Sequence, residues 1–233
     1  SDALEIDFGT DPLDSDMDED GLLDGVEINV YNTDPYLNDT DHDSLVDGDE
    51  IHLYQTDPLC NDTDNDGLLD AEEVADGLNP NHIDSDGDGL SDSDELWIHM
   101  TNPLHSDTDG DLVTDDLELI LGLNASSDDT DGDLLLDGAE VWDYGTDPLL
   151  NDTDFDGIPD YDEAFGKTNP ICNDTDGDGI SDGDEVHDYG TDPTLVDSDN
   201  DNLLDNFEIT LGTDPTNPDS DLDGYLDGIE VGA

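Results

Sequence analysis

One twelve-residue pattern of carboxylates, repeated ten times, constrains the fold of this chain more than any other feature. In every copy positions 1, 3, 5 and 9 are Asp, position 7 is apolar and position 12 is Glu. These five acidic positions hold 50 of the 71 acidic residues in a single register. Scattered acidity would show no such order, so the pattern predicts a repeat array.

The six positions define the candidate metal ligands of ten loops. Position 1 is Asp16, Asp39, Asp62, Asp84, Asp107, Asp129, Asp152, Asp174, Asp197 and Asp219. Position 3 is Asp18, Asp41, Asp64, Asp86, Asp109, Asp131, Asp154, Asp176, Asp199 and Asp221. Position 5 is Asp20, Asp43, Asp66, Asp88, Asp111, Asp133, Asp156, Asp178, Asp201 and Asp223. Position 7 is Leu22, Leu45, Leu68, Leu90, Val113, Leu135, Ile158, Ile180, Leu203 and Tyr225. Position 9 is Asp24, Asp47, Asp70, Asp92, Asp115, Asp137, Asp160, Asp182, Asp205 and Asp227. Position 12 is Glu27, Glu50, Glu73, Glu95, Glu118, Glu140, Glu163, Glu185, Glu208 and Glu230.

The ligand chemistry of this pattern favours calcium. Calcium takes six to eight oxygen ligands in flexible geometry, here carboxylates at 1, 3 and 5, a backbone carbonyl at 7, an oxygen or water at 9 and a bidentate Glu at 12. Magnesium demands near-ideal octahedral geometry, which a flexible loop of about seven oxygens suits less well. We therefore predict about ten calcium sites. More are possible if the Asp of the Thr-Asp-Pro turns forms second sites rather than capping the turn, at Asp34, Asp57, Asp147, Asp192 and Asp214.

The residue at position 6 separates the loops into two groups. Glycine permits the sharp turn that this position needs, and six loops have it, at Gly21, Gly67, Gly89, Gly157, Gly179 and Gly224. The other four have Ser44, Leu112, Leu134 and Asn202. A positive φ is costly for leucine. We expect the fifth and sixth loops to be strained, differently turned or weaker, although their carboxylates are intact.

The net charge of -70 at pH 7 opposes a compact state unless cations are bound. Apolar residues make up 32% of the chain, and each repeat can bury only a few of them. Apolar residues at positions 7 and 13, with an aromatic often three residues later, predict one short helical turn per repeat beginning at the Glu of position 12. The fold class we predict is a repeat, solenoid-like array of calcium-binding loops, with little regular secondary structure and no large single core.

The array is expected to be one domain over residues 1–233, with a partial repeat at 1–15 and ten repeats beginning at the position-1 residues above. Asp2 and Glu5 fit positions 9 and 12 of the partial copy. Loop starts are 22 or 23 residues apart and the spacing alternates after the first two, which suggests a paired unit of about 45 residues. The difference lies between the Glu and the following Pro. Continuation of the pattern to both ends suggests a longer array.

The segments Asp84-Ser-Asp-Gly-Asp-Gly-Leu-Ser-Asp-Ser-Asp-Glu95 and Asp156-Gly-Ile-Pro-Asp160 resemble thrombospondin type 3 repeats. The likeness is closer to the bacterial form, in which Glu closes the loop and Tyr-Gly-Thr-Asp-Pro often follows. The resemblance covers nearly the whole chain. It implies an extracellular calcium-dependent repeat used in stalks, spacers and surface proteins. Animal members are rich in disulfides, whereas this chain has two cysteines, so a disulfide-linked array is not carried over.

Cys60 and Cys172 each lie two residues before a loop start. They are interpreted either as an intermolecular bridge or as thiols packed between repeats. Five N-x-S/T sequons begin at Asn38, Asn61, Asn124, Asn151 and Asn173. Four of them read Asn-Asp-Thr at the start of a loop. All five are candidate glycosylation sites; the alternative for those four is that the Asn serves the turn geometry and the sequon is incidental.

Other classes of function are disfavoured. The cysteines and six histidines form no spaced zinc ligand set. No nucleophile elbow, phosphate loop or zinc-protease motif is present, so we do not expect an enzyme. A polyanion repels nucleic acid. No apolar run reaches the roughly 18 residues that a membrane span needs.

The leading hypothesis is an extracellular or cell-surface structural element, either a calcium-stiffened stalk or a filament subunit. Partners would then be calcium and further copies of the chain, stacked head to tail or joined through Cys60 and Cys172. Three alternatives stay open. They are a calcium-dependent adhesin or interaction module, a mineral-binding polyanion, and a non-catalytic spacer of a larger secreted enzyme.

Overall fold

A computed structural model of the chain describes residues 9–11 and 13–231. Asp2 and Glu5 of the predicted partial repeat lie outside the described residues. Within the described ranges there is no β-strand, and every repeat carries one short helical segment. The α-helical segments, numbered by repeat, are α1 Asp24–Val26, α2 Asp47–Asp49, α3 Asp70–Asp76, α4 Asp92–Asp94, α5 Asp115–Leu121, α6 Asp137–Ala139, α7 Asp160–Ala164, α8 Asp182–Asp184, α9 Asp205–Leu211 and α10 Asp227–Val231. The prediction of a repeat array with short helical turns is confirmed.

Each helical segment begins at position 9, three residues before the predicted start at the Glu of position 12. The residue at position 8 is extended, as at Leu23 with φ -96° and ψ 136°, and the chain turns helical immediately after it. An acidic residue in the first helical turn is stabilised by the positive end of the helix dipole. The Asp of position 9 therefore starts the helix, and the Glu of position 12 lies at the end of its first turn.

The two repeat spacings correspond to two kinds of helical turn. Where the next loop starts 23 residues later, α1, α2, α4, α6 and α8 continue into π-helical segments, which span Glu27–Tyr31, Glu50–Tyr54, Glu95–His99, Glu140–Tyr144 and Glu185–Tyr189. In the longer α6 repeat the Gly145 N–H donates to the Glu140 carbonyl, five residues back. In the shorter α9 repeat the Gly212 N–H bonds to the Glu208 carbonyl, four residues back. The extra residue is therefore absorbed as a π turn.

Carboxylates occupy the places where most proteins bury hydrocarbon. The largest side chains with less than 2% exposure include the position-12 glutamates of the first nine repeats, whereas Val113 is the one apolar residue in that group. The position-7 side chains Leu22, Leu68 and Leu135 are 2–3% exposed. The expected absence of a large apolar core therefore coincides with a buried acidic layer. Because an acidic residue is almost never fully buried unless it is paired, these carboxylates need a partner.

The chain divides into two compact units. One comprises Ser1–Thr108 and Thr114–Leu117, and the other comprises Asp109–Val113 and Glu118–Ala233. The fifth loop, residues 107–118, contributes residues to both units. The first four loops lie in the first unit and the last five lie in the second.

Position 6 has a positive φ whether or not it is glycine. The φ angle is 87° at Leu134 and 84° at Leu112, close to the 99° of Gly157. Both leucine loops therefore make the glycine-type turn, and the expected strain resides in the backbone of the leucines themselves. A left-handed conformation costs an L-residue roughly 1–2 kcal/mol.

Replacing Leu134 by glycine is expected to raise the free energy of unfolding by about 0.5–1 kcal/mol, because relief of the strain exceeds the entropic cost of a glycine. The Leu134 side chain is 68% exposed, so little packing is lost. The matched variant is Gly157→Leu, where a Cβ would meet no atom within 4 Å. Gly157→Leu should lower the free energy of unfolding by a similar amount. Chemical denaturation in calcium measures both, and equal stabilities for all three proteins would refute the assignment of strain.

Candidate metal centres

The nine loops that lie within one unit share one backbone arrangement, set by aspartates that accept hydrogen bonds from their own loop. In the fourth loop Asp84 accepts the Gly87 N–H at 2.6 Å and the Gly89 N–H at 3.0 Å. Asp86 and Asp88 each accept an N–H from the residue two positions on, at 3.2 and 2.8 Å. These bonds curl the backbone, so that alternate side chains point inward.

The curl brings the carboxylates of positions 1, 3 and 5 close together in the first four loops. In each of the first four loops, one oxygen from each of these three aspartates lies within 4.8 Å of the other two. Three such trios are Asp16, Asp18 and Asp20; Asp39, Asp41 and Asp43; and Asp62, Asp64 and Asp66. Carboxylate oxygens at this spacing surround a space of the size that a cation with bonds of about 2.3–2.6 Å requires.

The Asp of position 9 is held by the residue at position 2, which is not part of the predicted ligand set. Thr40 donates its N–H to Asp47 Oδ1 at 2.8 Å and its hydroxyl to Asp47 Oδ2 at 2.6 Å. Ser85 does the same for Asp92. Thr or Ser occupies position 2 in nine of the ten loops, and that recurrence was the available signal.

The Glu of position 12 is buried with an oxygen that has no hydrogen-bond partner. Glu50 is 0% exposed, and its Oε1 accepts the Thr56 hydroxyl at 3.1 Å. Its Oε2 has no partner. The pattern recurs at Glu27, Glu95, Glu140 and Glu185, each with a threonine six residues later. In Glu73 both carboxylate oxygens lack a partner.

Without a cation these carboxyl groups hold their protons unusually tightly. Burial, followed by the negative charge of Asp41, raises the pKa of Glu50 from 4.5 to about 8. Burial likewise raises the pKa of Glu73 to about 8. At position 3, burial and the neighbouring aspartates raise the pKa of Asp41 and Asp154 to about 6. Each shift reports the cost of placing several negative charges together away from water.

A bound cation would neutralise the loop carboxylates, whereas the side chains of the protein cannot. An unpaired carboxylate away from water is strongly unfavourable, and the ion pair seen in the described chain joins Lys167 to the half-buried Asp192 at 3.4 Å, outside the loop ligands. Lys167 is the one basic residue of the sequence, so side chains cannot neutralise ten loops. The donor set is entirely oxygen, which hard cations such as calcium prefer.

The aspartates of the Thr-Asp-Pro turns cap those turns. Asp34 Oδ1 accepts the Tyr36 N–H at 3.2 Å, and Asp57 Oδ1 accepts the Leu59 N–H at 3.2 Å. Asp147, Asp192 and Asp214 make the equivalent bond. These hydrogen bonds agree with turn capping by the five aspartates and give no support for second calcium sites at these turns.

The sequons and cysteines also have local structural roles. The Thr of each Asn-Asp-Thr sequon is a position-2 residue whose hydroxyl bonds to position 9, as Thr40, Thr63, Thr153 and Thr175 do. Cys60 Sγ donates to the Asp62 carbonyl at 3.1 Å and Cys172 Sγ to the Asp174 carbonyl at 3.3 Å. Ser127 and Asn217 make the same contact at the equivalent position. Both cysteines are free thiols here, and an intermolecular bridge stays a prediction.

None of the helices in the described part of the chain has the length and hydrophobicity of a membrane-spanning segment.

Comparison with known families gives one extended match. The profile of the family described as "Bacterial TSP3 repeat" matches residues 1–15, 16–36, 62–82, 84–105, 129–151, 152–171, 174–195 and 197–218. No curated protein matches the chain significantly.

Two solved structures share a short segment with this chain. One is titled "Biofilm associated protein - BSP domain", with 48% identity over 19% of this chain and 8% of that chain and a TM-score of 0.19. The other is titled "Biofilm associated protein - B domain", with 47% identity over 19% of this chain and 11% of that chain and a TM-score of 0.19. The matched segment is therefore a small part of either protein.

Proposed function

Because this chain belongs to the bacterial TSP3 repeat family, we propose that it is an extracellular structural element whose ten loops bind calcium and are stiffened by it. The family is a calcium-binding repeat type, and its repeats are structural. The ligands we assign in each loop are the carboxylates of positions 1, 3, 5 and 12, the carbonyl of position 7, and the Asp of position 9 directly or through a water.

The observation that carries this proposal is the set of buried, unpartnered Glu oxygens at position 12. Glu27 and Glu50 are 0% exposed and each keeps one oxygen without a hydrogen bond. A calcium ion coordinated by Glu Oε2 and the three loop aspartates would satisfy these atoms and offset their mutual repulsion. The same ion connects the start of the loop to the first turn of its helix, so binding stabilises the whole repeat.

A location outside the cell is part of this proposal and agrees with the same chemistry. Extracellular calcium modules bind with dissociation constants of about 10⁻⁴–10⁻³ M, which a calcium-rich exterior saturates. The solenoid-like course of the array and its head-to-tail stacking on further copies remain parts of this proposal.

Small-angle X-ray scattering tests the stiffening role. With millimolar calcium we expect scattering curves of a rigid particle, and after EDTA we expect an expanded, flexible chain with a larger radius of gyration. Limited proteolysis should follow the same change, from resistant to rapidly cleaved. Identical scattering and cleavage in both conditions would argue against a calcium-stiffened element. A calcium-dependent adhesin would show the same stiffening together with retention of a matrix ligand.

A further inference from the structure

Two consecutive loops carry a leucine where the other eight carry a small or polar residue. Leu112 and Leu134 occupy position 6 of the fifth and sixth loops, whereas that position is Gly, Ser or Asn elsewhere. Both leucines have a positive φ, which is unfavourable for an L-residue. Their side chains are 77% and 68% exposed, so their packing offsets little of that strain. The chain therefore carries, at a cost in stability, two leucines that contribute little to its own fold.

A side chain at position 14, two residues after the Glu of position 12, lies beside position 6 of the repeat before it. The Trp142 Nε1–H donates to the Leu112 carbonyl at 3.1 Å. In the first unit, a Cβ built on Gly67 would lie 3.9 Å from Cζ3 of Trp97. The two tryptophans are thus equivalent, with 58% and 57% exposure. They differ in that Trp142 lies beside a leucine and Trp97 beside a glycine.

The same register continues the apolar surface into the seventh repeat. Phe165 occupies position 14 there, one repeat after Leu134, and more than half of its side chain is exposed. Its ring centroid lies 6.5 Å from that of Tyr144 and 4.8 Å from that of Tyr161. Exposed apolar groups bordered by polar residues mark interaction sites. Four exposed residues of the second unit define what we call the leucine patch, namely Leu112, Leu134, Trp142 and Phe165.

The charge of the chain decides which partner the leucine patch can accept. A net charge of -70 repels a second copy of the chain and any anionic surface. Asp143 follows Trp142 directly and Asp162 lies three residues before Phe165, and both aspartates are exposed. The border of the patch is therefore acidic. Apolar side chains accompanied by positively charged ones complement such a surface.

We propose that the leucine patch binds a basic amphipathic segment of another protein, in which apolar side chains are interspersed with Lys or Arg. The apolar side chains cover Leu112, Leu134 and Trp142, and the cations meet the surrounding carboxylates. This role goes beyond stiffening by calcium, because it gives one part of the array a partner of its own. Calcium contributes by holding the fifth and sixth loops in the conformation that presents the two leucines.

Fluorescence anisotropy of labelled peptides, titrated with the full chain in calcium, tests this binding. One peptide is an amphipathic sequence of Leu and Lys, and the control peptide has Ser in place of every Leu at the same charge. Salt above about 0.15 M shortens the Debye length below about 8 Å and weakens unspecific attraction to the polyanion. The Leu-Lys peptide should bind at least about tenfold more tightly than the Ser-Lys peptide. Equal affinities for the two peptides would overturn the proposal.

Glycine variants separate the leucine patch from the rest of the surface. Leu112→Gly with Leu134→Gly removes both side chains but retains the position-6 N–H, which Asp129 accepts in the sixth loop. This double variant relieves strain, so a loss of binding cannot be attributed to unfolding. It should bind the Leu-Lys peptide about tenfold more weakly than the wild type. Leu222→Gly is the matched control, since Leu222 has a φ of 61° and is exposed in the tenth loop. It should leave the affinity unchanged.

Wild-type affinity in the double glycine variant would overturn the proposal. Small-angle scattering of that variant in calcium should still show a rigid particle, so its outcome is separate from that of the calcium-binding function. Sedimentation velocity of the wild type addresses the other occupant of the patch. Dimers in calcium that disappear in the double glycine variant would show that the patch binds a second copy, and would also overturn the proposal.

The two tryptophans give an independent readout that leaves both leucines in place. Trp97→Phe leaves Trp142 as the single tryptophan of the chain. Its emission should shift to shorter wavelength when the Leu-Lys peptide covers the patch. Trp142→Phe leaves Trp97, whose emission should not shift. A shift of the same size in both variants, or a shift of Trp97 alone, would contradict binding at the leucine patch.

Discussion

Removal of calcium by EDTA at pH 8 is expected to abolish the cooperative thermal unfolding of this chain. At a free calcium concentration ten times the dissociation constant, each site adds about 1.4 kcal/mol to the stability of the folded state. Ten loops would together add roughly 14 kcal/mol, which is as large as the whole stability of a typical domain, about 5–15 kcal/mol. The buried acidic layer offers little apolar contact to replace this contribution.

Circular dichroism during heating measures this effect. We expect a sharp transition in calcium whose midpoint rises with calcium concentration, and a featureless, non-cooperative change in EDTA. Adding excess magnesium to the EDTA sample is the control, because magnesium fits these loops poorly and should restore much less structure. An unchanged melting curve in EDTA would show that the chain folds without a metal.

Acidification of the metal-free protein is expected to restore structure that is absent at pH 8. The pKa of Glu50, Glu73, Glu140 and Glu185 is raised from 4.5 to about 8 by burial in the fold. A raised pKa means that the folded state holds its proton more tightly than the unfolded state. The resulting stability is fully present below pH 4.5 and is lost as the pH rises through about 8. Calcium takes the place of these protons, so the calcium-bound protein should show the opposite trend and lose its metal in acid.

A pair of neighbouring glutamates on α3 provides the matched variants for this prediction. Glu73 is 0% exposed, whereas Glu72 is exposed and accepts the Leu69 N–H. Glu73→Gln imitates the protonated acid. It should stabilise the metal-free chain at pH 8 and weaken calcium binding in the third loop. Glu72→Gln should change neither property. Circular dichroism against pH in EDTA, with calcium titrations beside it, measures both effects. A metal-free chain that gains structure as pH rises would contradict the assignment.

The sequence predicted the repeat and its inward-facing aspartates because the 1, 3, 5 spacing is a local property of the chain. Asp84, Asp86 and Asp88 are brought together by hydrogen bonds that span at most five residues. At Leu134 a strained turn was one of three outcomes expected from the sequence, and the backbone there adopts the glycine-type φ of 87°. No tertiary information was needed for either.

Other features depend on contacts that the pattern does not encode. The extra residue of the longer repeats could have lengthened a loop, yet it forms a π turn that keeps Thr56 against Glu50, as it keeps Thr146 against Glu140. The Asp that starts the helix at position 9 is also held by the residue of position 2, as Asp47 is by Thr40. The approach of Asp47 to Asp20 and Glu27 depends on how two repeats pack, and Gly48 was its one local signal.

Anomalous X-ray diffraction from crystals grown in calcium locates each ion and so shows whether the loops bind calcium. Our prediction is a peak inside every loop, about 2.3–2.6 Å from the carboxylate oxygens of positions 1, 3 and 5, the carbonyl of position 7 and the Glu of position 12. Loops without anomalous density, in a chain folded as described with buried and uncoordinated glutamates, would contradict it.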